Sequence, residues 1–535
     1  MKLNSLFPLV LFPLLITGPL FADNLHVPAD HPTIQAAIDA SKPGDLITVA
    51  PGTYKERIRL KPDTTLRSAG DDTKGKLGLK RAEETIIDGG GAIADDDHEA
   101  PPGVAMAEGA TFDGFTVTNV GTYDDALWNK HHATRGDDQK HEHIGAFGAP
   151  GIGIDGVTCT VRNSIVHHIG HTGIAIRGTE GKSVAPLVAN NVTYRNMGGG
   201  IGIMDGALGV ITDNTCFENF YAGIGHSGAS PLVANNTCYQ NIRAGIGISE
   251  GACPVVRSNK CYQNRRAGIG TRTGIETSPV IVDNDCYENG MAGIGTDEGA
   301  SPLIKGNRCY DNEMAGIGAR HDSHPIIIGN ECTGNKAAAL GFMACDGGTA
   351  LVRGNRFEAT TVVAIGIQSG WDVDFIGNQI RGGDALPPAI MIFEGATASF
   401  SNNTIKGGGV AGIRVAGTAD IVRNTFEGTT LRKVGPPNFA VWALDGSDVT
   451  LRSNHMKSWR HALFAKNATV TAALNVASEF HKSAFVIDTP TARSLLFNNA
   501  AISEDAGDGA FRLTDDLHGS VSEGNTVEKP EPGDE

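Results

Sequence analysis

The chain has 535 residues, of which 70 are glycine and only 6% are aromatic, and its formal net charge is −16 at pH 7. A hydrophobic fraction of 40% is too high for a chain that stays disordered, and abundant glycine is typical of a turn-rich β protein. The negative charge argues against non-specific binding to nucleic acid or to acidic membranes. An anionic partner would therefore need a local basic patch.

Residues 1–22 have the pattern of a secretory signal peptide. Lys2 precedes an apolar run from Leu6 to Leu15, Gly18-Pro19 breaks the pattern, and the small residue Ala22 ends it. A membrane anchor is the alternative, but the run is short for a span and contains prolines. We therefore expect a secreted or periplasmic protein that has no membrane span after the signal is cleaved.

Residues 23–119 are predicted to hold an N-terminal cap and the first coils. In HPTIQAAIDA, apolar residues recur at i, i+3 and i+4 from Ile34, which indicates a short amphipathic helix with Asp30 as its N-cap. DLITVAPGTYKERIRL then reads as two strands around the turn Pro51-Gly52. A helix before the first coil is what the exposed end of a solenoid needs.

Residues 120–150 are predicted to be a polar insertion rich in histidine and aspartate. Histidine supplies an acid or a base near neutral pH, and together with carboxylates it supplies metal ligands. The candidate catalytic residues here and in the following coil are His131, His132, His141, His143, His167, His171 and Arg177. The candidates for holding a sugar carboxylate are Lys130 and Arg135, and the candidate Ca²⁺ ligands are Asp124, Asp125, Asp137 and Asp138. The alternative is a solvated polar loop.

Residues 151–467 contain a regular repeat. An asparagine two residues before a cysteine or its replacement recurs at Asn163, Asn191, Asn214, Asn236, Asn259, Asn284, Asn307, Asn330, Asn355, Asn378, Asn403, Asn424 and Asn454. A fixed repeat of this length indicates a solenoid or a propeller, and neither a leucine consensus nor a propeller blade fits. Three short strands joined by glycine and asparagine turns do fit. The sequence therefore predicts an all-β fold, a parallel β-helix that forms a single-stranded solenoid with a short N-terminal capping helix.

One position of the repeat carries most of the cysteines, at Cys216, Cys238, Cys261, Cys286, Cys309 and Cys332. In later coils the same position holds Phe357, Ile380, Ile405, Phe426 and Met456. A position that accepts all of these residues is a core position, so we predict a ladder of buried thiols. The alternative is a disulfide between neighbouring coils, because stacked Cα atoms about 4.8 Å apart fall within disulfide range.

The turn after each Gly-Ile-Gly segment carries charges that alternate in sign between coils, at Glu250, Arg272, Glu298, Arg320 and Asp346. Stacked opposite charges stabilise each other by a few tenths of a kcal/mol without any ligand. The same row is also suited to line a groove for sugar. In that case the candidate substrate-binding residues are Arg272, Arg320, His321 and Asp322.

Residues 468–535 are predicted to hold the last coils, a cap and the acidic tail VEKPEPGDE. Trp371, Trp442 and Trp459 lie on or near turns in the later coils. They are expected either to pack loops on the rod or to stack on sugar faces.

Three segments near the N-terminus point to a known family: TIQAAIDASKPGDLITVAPGTY (33–54), TLRSAG (65–70) and TIIDGGG (85–91). With the repeats, they resemble the pectate-lyase-like right-handed parallel β-helix superfamily. Its members include polysaccharide lyases, pectin methylesterases, alginate epimerases and the periplasmic β-helix accessory protein of nitrous oxide reductase maturation. The resemblance implies a right-handed coil but specifies no activity. No lyase, esterase or epimerase motif matches this chain residue by residue.

Three functional hypotheses follow. The first is an exported protein that acts on an acidic polysaccharide by lyase, epimerase or hydrolase chemistry, with Ca²⁺ as a candidate cofactor. The second is a non-catalytic carbohydrate-binding or surface scaffold. The third is a periplasmic metal-handling accessory protein. A monomer is expected, with polysaccharide as its partner in the first two cases and no nucleic acid bound.

Overall fold

The computed structural model describes residues 22–71, 73–92, 100–140, 143–146, 148–359, 361–384, 387–514 and 518–530. In this part of the chain, successive coils pass through three parallel β-sheets, named A, B and C in the order in which each coil visits them. The predicted all-β parallel solenoid is confirmed. The predicted signal peptide lies outside the described residues except for Ala22.

Sheet A is the first sheet of each coil and has twenty strands in the described residues. In its regular strands the central residue faces the core, as Ile211 and Val233 do. The strands are Asn24–Val27, Leu46–Val49, Thr65–Ser68, Thr111–Asp113, Thr160–Arg162, Leu187–Ala189, Val210–Thr212, Leu232–Ala234, Val255–Arg257, Val280–Val282, Leu303–Lys305, Ile326–Ile328, Gly348–Arg353, Trp371–Ile376, Thr397–Ser401, Thr418–Val422, Asp448–Arg452, Thr469–Ala473, Leu495–Phe497 and Val521–Glu523.

Sheet B follows sheet A after a sharp corner and contains the cysteine position. Its strands in the described residues are Gly52–Lys55, Thr85–Gly91, Thr116–Val120, Ile165–His167, Val192–Tyr194, Thr215–Phe217, Thr237–Tyr239, Lys260–Tyr262, Asp285–Tyr287, Arg308–Tyr310, Glu331–Thr333, Arg356–Ala359, Gln379–Gly382, Thr404–Lys406, Thr425–Glu427, His455–Lys457, Val476–Ser478, Ala500–Ile502 and Thr526–Glu528.

Sheet C completes each coil and contains the Gly-Ile-Gly motif. Its strands in the described residues are Ile58–Arg59, Val104–Ala105, Ile152–Asp155, Ile174–Arg177, Ile201–Met204, Ile224–Ser227, Ile246–Ser249, Ile269–Thr271, Ile294–Thr296, Ala315–Ala319, Ala338–Phe342, Val363–Ile367, Ile390–Ile392, Ala411–Val415, Phe439–Ala443, His461–Lys466, Phe485–Asp488 and Phe511–Thr514.

Three helices interrupt the coils of the described chain. They are α1 (Ile34–Ala40), α2 (Lys80–Glu84) and α3 (Asp125–Ala133). Helix α1 begins after Thr33, whose hydroxyl accepts a hydrogen bond from the Ala36 N–H at 3.1 Å. The predicted N-cap, Asp30, is wrong, because its carboxylate accepts instead from the His26 N–H. The apolar stripe that begins at Ile34 is buried in the core of the solenoid, as the sequence pattern predicts.

Buried asparagines form ladders at two corners of the coil. The ladder between sheets A and B contains Asn191, Asn214, Asn236, Asn259, Asn284, Asn307, Asn330, Asn355, Asn378, Asn403, Asn424, Asn454, Asn475 and Asn499. The amide of Asn236 donates to the Ile211 carbonyl at 2.9 Å and to Asn259 Oδ1 at 3.0 Å. Each ladder residue thus satisfies backbone groups that the corner would leave buried without a partner.

The predicted register is one residue early in the coil of Asn163. Asn163 is the left-handed corner residue, with φ 55°, and Ser164 takes the ladder position, where its N–H donates to Asn191 Oδ1 at 3.0 Å. His168, with φ 54°, is likewise a corner residue and not a ladder residue. Asparagine tolerates the left-handed conformation, so an asparagine alone does not distinguish the two positions.

The cysteine ladder is buried, and its members pair in register, as Cys216 with Cys238. All nine cysteines are free thiols. The prediction of buried thiols is confirmed, and no disulfide joins neighbouring coils. The coils continue past residue 468, through the strand Thr526–Glu528, while residues 531–535 of the acidic tail lie outside the described chain. No helix in the described ranges is long and apolar enough to cross a membrane.

Candidate functional site

The insertion (residues 120–150) packs along the corner between sheets B and C. Trp128 of α3 is buried against Phe220 and Ile242. Its indole N–H donates to the Glu218 carbonyl at 2.8 Å. The centre of the insertion is therefore a small hydrophobic cluster outside the solenoid core, and it is not a freely solvated loop.

Three arginines of the coils bind the far end of the insertion. The contacts run from Arg243 to Gln139 (2.7 and 2.8 Å), from Arg265 to the His132 carbonyl (2.9 Å) and from Arg266 to the Gly136 carbonyl (2.9 Å). Carbonyls at a helix C-terminus lack intrahelical donors and carry the negative end of the helix dipole. Guanidinium groups are suited to both features, so these contacts fix the insertion across several coils.

The outer face of sheet B offers little to a ligand. Six aromatic rings, from Tyr194 to Tyr310, stack 4.9–5.0 Å apart and nearly parallel, so each ring face covers its neighbour. Further along, Arg356 pairs with Glu331 at 2.6 Å and with Glu358 at 3.1 Å, beside a depression of about 390 Å³. Rings and charges on this face are thus already used within the protein.

The outer face of sheet C carries a continuous row of glycines. Eight consecutive coils, from that of Gly202 on, place glycine at one outward strand position, and the last seven are Gly225, Gly247, Gly270, Gly295, Gly318, Gly341 and Gly366. None of these seven has a left-handed φ, and a Cβ added to any of the seven would meet its nearest neighbour at 3.5–4.0 Å, an ordinary contact. The fold does not require glycine at these positions.

A second set of glycines, two residues earlier in the strands, behaves differently. A Cβ on Gly268 or Gly293 would lie 2.7 or 2.8 Å from a carbonyl oxygen of the next coil, so glycine is required there. In the outward row, by contrast, each glycine costs about 0.5–1 kcal/mol relative to alanine. Unforced glycine within a strand marks a place where a ligand or another backbone approaches closely.

The row of seven glycines (the glycine row, Gly225–Gly366) is a long, flat strip. Six steps of about 4.8 Å make it about 29 Å long. Beyond Gly366 the same position holds Met391, Arg414 and Trp442, which end the strip with bulky side chains. Before Gly225 the same position holds Gly202, Ala175 and Gly153, so bulky side chains close the strip at one end only.

Arg272 lies at the border of the glycine row and has no carboxylate partner. Its neighbour Thr271 is buried, so the alternation along the strand directs Arg272 outward. The guanidinium reaches the Tyr221 hydroxyl at 3.5 Å, and within the described ranges it forms no ion pair. The predicted alternation of charges therefore does not neutralise Arg272 through Glu250 or Glu298.

Arg272 belongs to an arginine cluster, defined here as Arg243, Arg266, Arg272 and Arg320. Burial, followed by the charges of Arg266 and Arg272, lowers the pKa of Arg243 to about 10. Burial also lowers the pKa of Arg266, and Arg272 and Arg320 act in the same direction. Mutual repulsion among guanidiniums in a chain of net charge −16 makes this cluster the local basic patch that an anionic partner needs.

Arg320 and His321 share one carboxylate at the same border. Arg320 binds Asp297 Oδ2 through Nε at 2.8 Å and through Nη2 at 2.7 Å. His321 Nδ1 lies 2.6 Å from Asp297 Oδ1. Asp322 turns away to accept the N–H groups of residues 346 and 347, both at 2.8 Å. Three of the four predicted substrate-binding residues of this region, Arg272, Arg320 and His321, thus border the glycine row.

The predicted histidines are divided among separate environments. His131 is buried with its ring edge-on to Phe220, and burial lowers its pKa. His132 stacks on the Trp128 indole, with centroids 4.8 Å apart. His141 lies outside the described residues. The adjacent His131 and His132 therefore serve the packing of the insertion.

His167 and His168 lie apart from these two, whereas the charge of His143 adds to burial in lowering the pKa of His131. His167 lies on sheet B, stacked on Tyr194, and its Nδ1 is 2.7 Å from Nδ1 of His168. Burial, aided by the charge of His168, lowers the pKa of His167 to about 4. His143 lies in the turn after α3, where its N–H donates to the carbonyl of residue 140 at 3.1 Å. His171 packs at the corner beside residue 145.

The predicted cationic and calcium-binding residues are also dispersed. Arg177 is exposed and pairs with Asp205 at 3.3 Å, Lys130 is exposed on α3, and the Arg135 carbonyl faces Arg266. Asp124 caps α3, Asp125 pairs with Arg195 at 3.0 Å, Asp137 lies 3.8 Å from Arg266, and Asp138 is exposed. Across the described ranges, no three His, Cys, Asp or Glu side chains are grouped to hold a metal ion.

Sequence reasoning missed the glycine row and the contribution of Tyr221, and it left Asp297 outside the candidate set. A signal was available, because the second glycine of each Gly-Ile-Gly motif falls between two inward residues and must face outward.

Comparison with known proteins agrees with the fold. Residues 150–278 and 270–386 match the family model described as right handed beta helix region. The recognition of a right-handed parallel β-helix is confirmed. No curated protein matches the sequence.

Solved structures with a similar fold include the A-module of mannuronan C-5 epimerase AlgE6 from Azotobacter vinelandii. It is 14% identical with a TM-score of 0.32, and the match covers 83% of this chain and 94% of that chain. DFA-IIIase from Arthrobacter chlorophenolicus A6 is 13% identical with a TM-score of 0.34, covering 72% and 95%. Pectate lyase Pel9A is 14% identical with a TM-score of 0.28, covering 69% and 72%. At these identities the likeness concerns the fold alone.

Proposed function

We propose that this right-handed β-helix chain binds an acidic polysaccharide along the glycine row, with Arg272 of the arginine cluster holding a sugar carboxylate. The observation that carries the proposal is Arg272, a guanidinium that has no ion-pair partner among the described residues and lies beside glycines that the fold does not require. Guanidinium presents a planar fork of donors that matches a carboxylate. A flat strip about 29 Å long suits an extended polymer.

The charge around the glycine row favours an anionic ligand over a neutral one. Asp137, 3.8 Å from Arg266, and Asp297, bound by Arg320, are the carboxylates in contact with the arginine cluster in the described chain. A carboxylated sugar would relieve repulsion among the four guanidiniums, whereas a neutral glucan would not. Because part of the attraction is between exposed charges, binding is expected to weaken as salt is added.

We also propose that the protein acts outside the cytoplasm, as a secreted or periplasmic monomer. The signal-like pattern of residues 1–22 supports export to the cell surface or periplasm, where such polymers occur. The glycine row and the arginine cluster both lie within one chain, which supports a monomer as the active form.

The test is equilibrium binding of the full chain to a soluble polyuronate and to a neutral β-glucan of matched length. We expect the polyuronate to bind and the neutral glucan not to bind. Arg272→Ala is expected to weaken polyuronate binding about 10-fold or more, since charged hydrogen bonds contribute about 1.5–3 kcal/mol. Arg381→Ala, which removes an arginine on sheet B that lies 3.8 Å from Glu358, is the matched control. Equal binding of both polymers, or equal loss in both variants, contradicts the proposal.

A further inference from the structure

The outer face of sheet A carries a continuous column of aliphatic side chains. The residue that follows each of them in the strand is buried in the core, so these side chains point outward. The column (the aliphatic column) occupies eight consecutive coils and consists of Leu187, Val210, Leu232, Val255, Val280, Leu303, Ile326 and Leu351. Four of its members are 37–42% exposed.

The fold does not require aliphatic residues at this position. Thr160 stands there in the coil before the aliphatic column, and Asp374, Ser399 and Asp420 stand there in the three coils after it. An outward strand position can therefore be polar in this solenoid. Eight aliphatic residues in succession on an outer face indicate a surface that another molecule covers.

A second outward column lies beside the first and alternates cations with aliphatic residues. Two positions further along each strand, five consecutive coils carry Arg257, Val282, Lys305, Ile328 and Arg353 (the mixed column). The three cations are exposed, and in the described ranges none of them forms an ion pair or a side-chain hydrogen bond. In a chain of net charge −16, unpaired cations beside an aliphatic column indicate a partner that is both apolar and anionic.

The dimensions of this face favour one slender partner. Seven steps of about 4.8 Å make the aliphatic column about 34 Å long, and three residues of strand make the face about 10 Å wide. The footprint of about 340 Å² is less than half of the roughly 800 Å² that each partner buries in a stable protein interface, which argues against a second copy of this chain. A single α-helix is about 10 Å across and therefore fits this face.

The spacing of both columns matches a heptad pattern. A helix along the solenoid axis with apolar residues at positions a and d presents one of them about every 5.2 Å, and the aliphatic column offers a contact about every 4.8 Å. One acidic residue per heptad recurs about every 10.5 Å, whereas the cations recur every second coil, about every 9.6 Å. The long side chains of arginine and lysine can take up a difference of about 1 Å.

We infer that this face of sheet A binds an acidic amphipathic α-helix of a partner protein. The apolar residues of the helix lie on the aliphatic column, and its carboxylates pair with Arg257, Lys305 and Arg353. Apolar contact supplies affinity, and the three ion pairs fix the direction and register of the helix. The inference does not rest on the proposed function, because the glycine row lies on sheet C.

An anionic lipid surface fits this face less well than a helix does. The turns that lead into these strands carry exposed Glu250, Glu276 and Glu298. A planar bilayer would meet these carboxylates together with the cations of the mixed column, so repulsion would offset part of the attraction. A helix about 10 Å wide contacts the two columns alone.

The test measures binding of the full chain to fluorescent synthetic peptides by anisotropy. The probe peptide has about 21 residues, or three heptads, with Leu at positions a and d and Glu at position e. The comparison peptide has Lys in place of every Glu. We expect the Glu peptide to bind at least about 10-fold more tightly than the Lys peptide, because only the former complements the mixed column.

A charge reversal within the mixed column separates recognition from loss of structure. Lys305→Glu is expected to weaken binding of the Glu peptide at least about 10-fold and to strengthen binding of the Lys peptide, a gain that a misfolded variant would not show. The matched control, Lys260→Glu, makes the same change of charge at an exposed position of sheet B. It should leave both affinities within about 2-fold of wild type.

Three results of the peptide assay would overturn the inference: no binding of the Glu peptide, equal affinity for both peptides, or equal effects of the two substitutions. Dimerisation in analytical ultracentrifugation that Leu303→Asn abolishes would assign the face to a second copy and would also overturn it. Binding to phosphatidylglycerol vesicles that the same variant abolishes would assign it to a lipid surface, with the same consequence. Polyuronate binding should be unchanged in Lys305→Glu, so each of these outcomes leaves the proposed function standing.

Discussion

Replacing a glycine of the glycine row by alanine is expected to stabilise the protein, which is unusual for a glycine in a regular repeat. A Cβ on Gly295 would lie 3.8 Å from the Ala267 Cβ, and its φ is not left-handed. The gain should be about 0.5–1 kcal/mol, mainly because alanine has less freedom than glycine in the unfolded chain. Gly293→Ala is the matched control. Its Cβ would lie 2.8 Å from the Gly316 carbonyl, so a loss of about 1–3 kcal/mol is expected.

Hydrogen exchange of native protein is the appropriate assay, because a long solenoid need not unfold in one step. For Gly295→Ala, a gain of about 0.5–1 kcal/mol corresponds to amide exchange that is about 2- to 5-fold slower in the surrounding coils. Gly293→Ala should accelerate exchange in the same coils. If Gly295→Ala also accelerates exchange, the backbone needs this glycine, and the argument for a ligand at the glycine row fails.

The same position tests the groove directly. Gly295→Phe places a ring on the strip and is expected to reduce polyuronate binding at least 10-fold by steric exclusion, since the side chain points outward and its Cβ would make only an ordinary contact with the Ala267 Cβ, at 3.8 Å. Thr397→Phe, at an exposed position of sheet A, is the control for adding a ring to the surface. Unchanged polyuronate affinity in Gly295→Phe would show that the ligand does not lie on the glycine row.

Three further predictions concern other parts of the molecule. Burial lowers the pKa of His226 to about 4, so the native state keeps it neutral, whereas the unfolded chain protonates it near its ordinary pKa of 6.5. Stability should be full above about pH 6.5 and fall by about 3 kcal/mol as the pH approaches 4. His226→Ile, which copies Ile203 and Ile248 of the adjacent coils, should remove this dependence of stability on pH, as measured by urea titrations. An unchanged pH profile of stability would show that His226 is not its cause. Trp128→Ala should release the insertion without unfolding the coils, which limited proteolysis within 120–150 and unchanged circular dichroism would show; loss of β-sheet signal would contradict this. An alkylating reagent should label exposed Cys253 first and the cysteine ladder only after denaturation, as measured by mass spectrometry; early labelling of the ladder would disprove its burial.

The fold was predictable because every coil repeats one physical solution. Short strands, left-handed corners and an inward position that accepts Cys, Phe, Ile or Met recur from coil to coil. A parallel β-helix is the arrangement that buries all of these inward side chains. The predicted asparagine register was wrong in the coil of Asn163, where Ser164 takes the ladder position. Asparagine is suited both to the left-handed corner and to the ladder. The residue type alone therefore does not distinguish two registers that differ by one residue.

The predicted histidine site was less successful because clustering in sequence is not clustering in space. Along α3 each residue turns by about 100°, so His131 enters the cluster at Phe220 while His132 stacks on Trp128. The residues at the edge of sheet C were easier to predict. Stacked coils place equivalent residues about 4.8 Å apart, and this brings Arg320 and His321 together on Asp297.

Recent duplication of the repeat does not account for the glycine row by itself. The coils that contain Gly341 and Gly366 differ from the earlier repeats at many positions. For example, the tyrosine that follows the cysteine position is replaced by Thr333 or Glu358. They nevertheless keep glycine at this outward position of sheet C, although an added Cβ would meet its nearest neighbour there at an ordinary 3.8 Å. The row ends at Met391, and past that point the outer face fills with larger residues. The strip therefore stays open through Gly366, two coils past Arg320, the last member of the arginine cluster. An extended ligand held at the arginine cluster and lying along the axis would use this additional length.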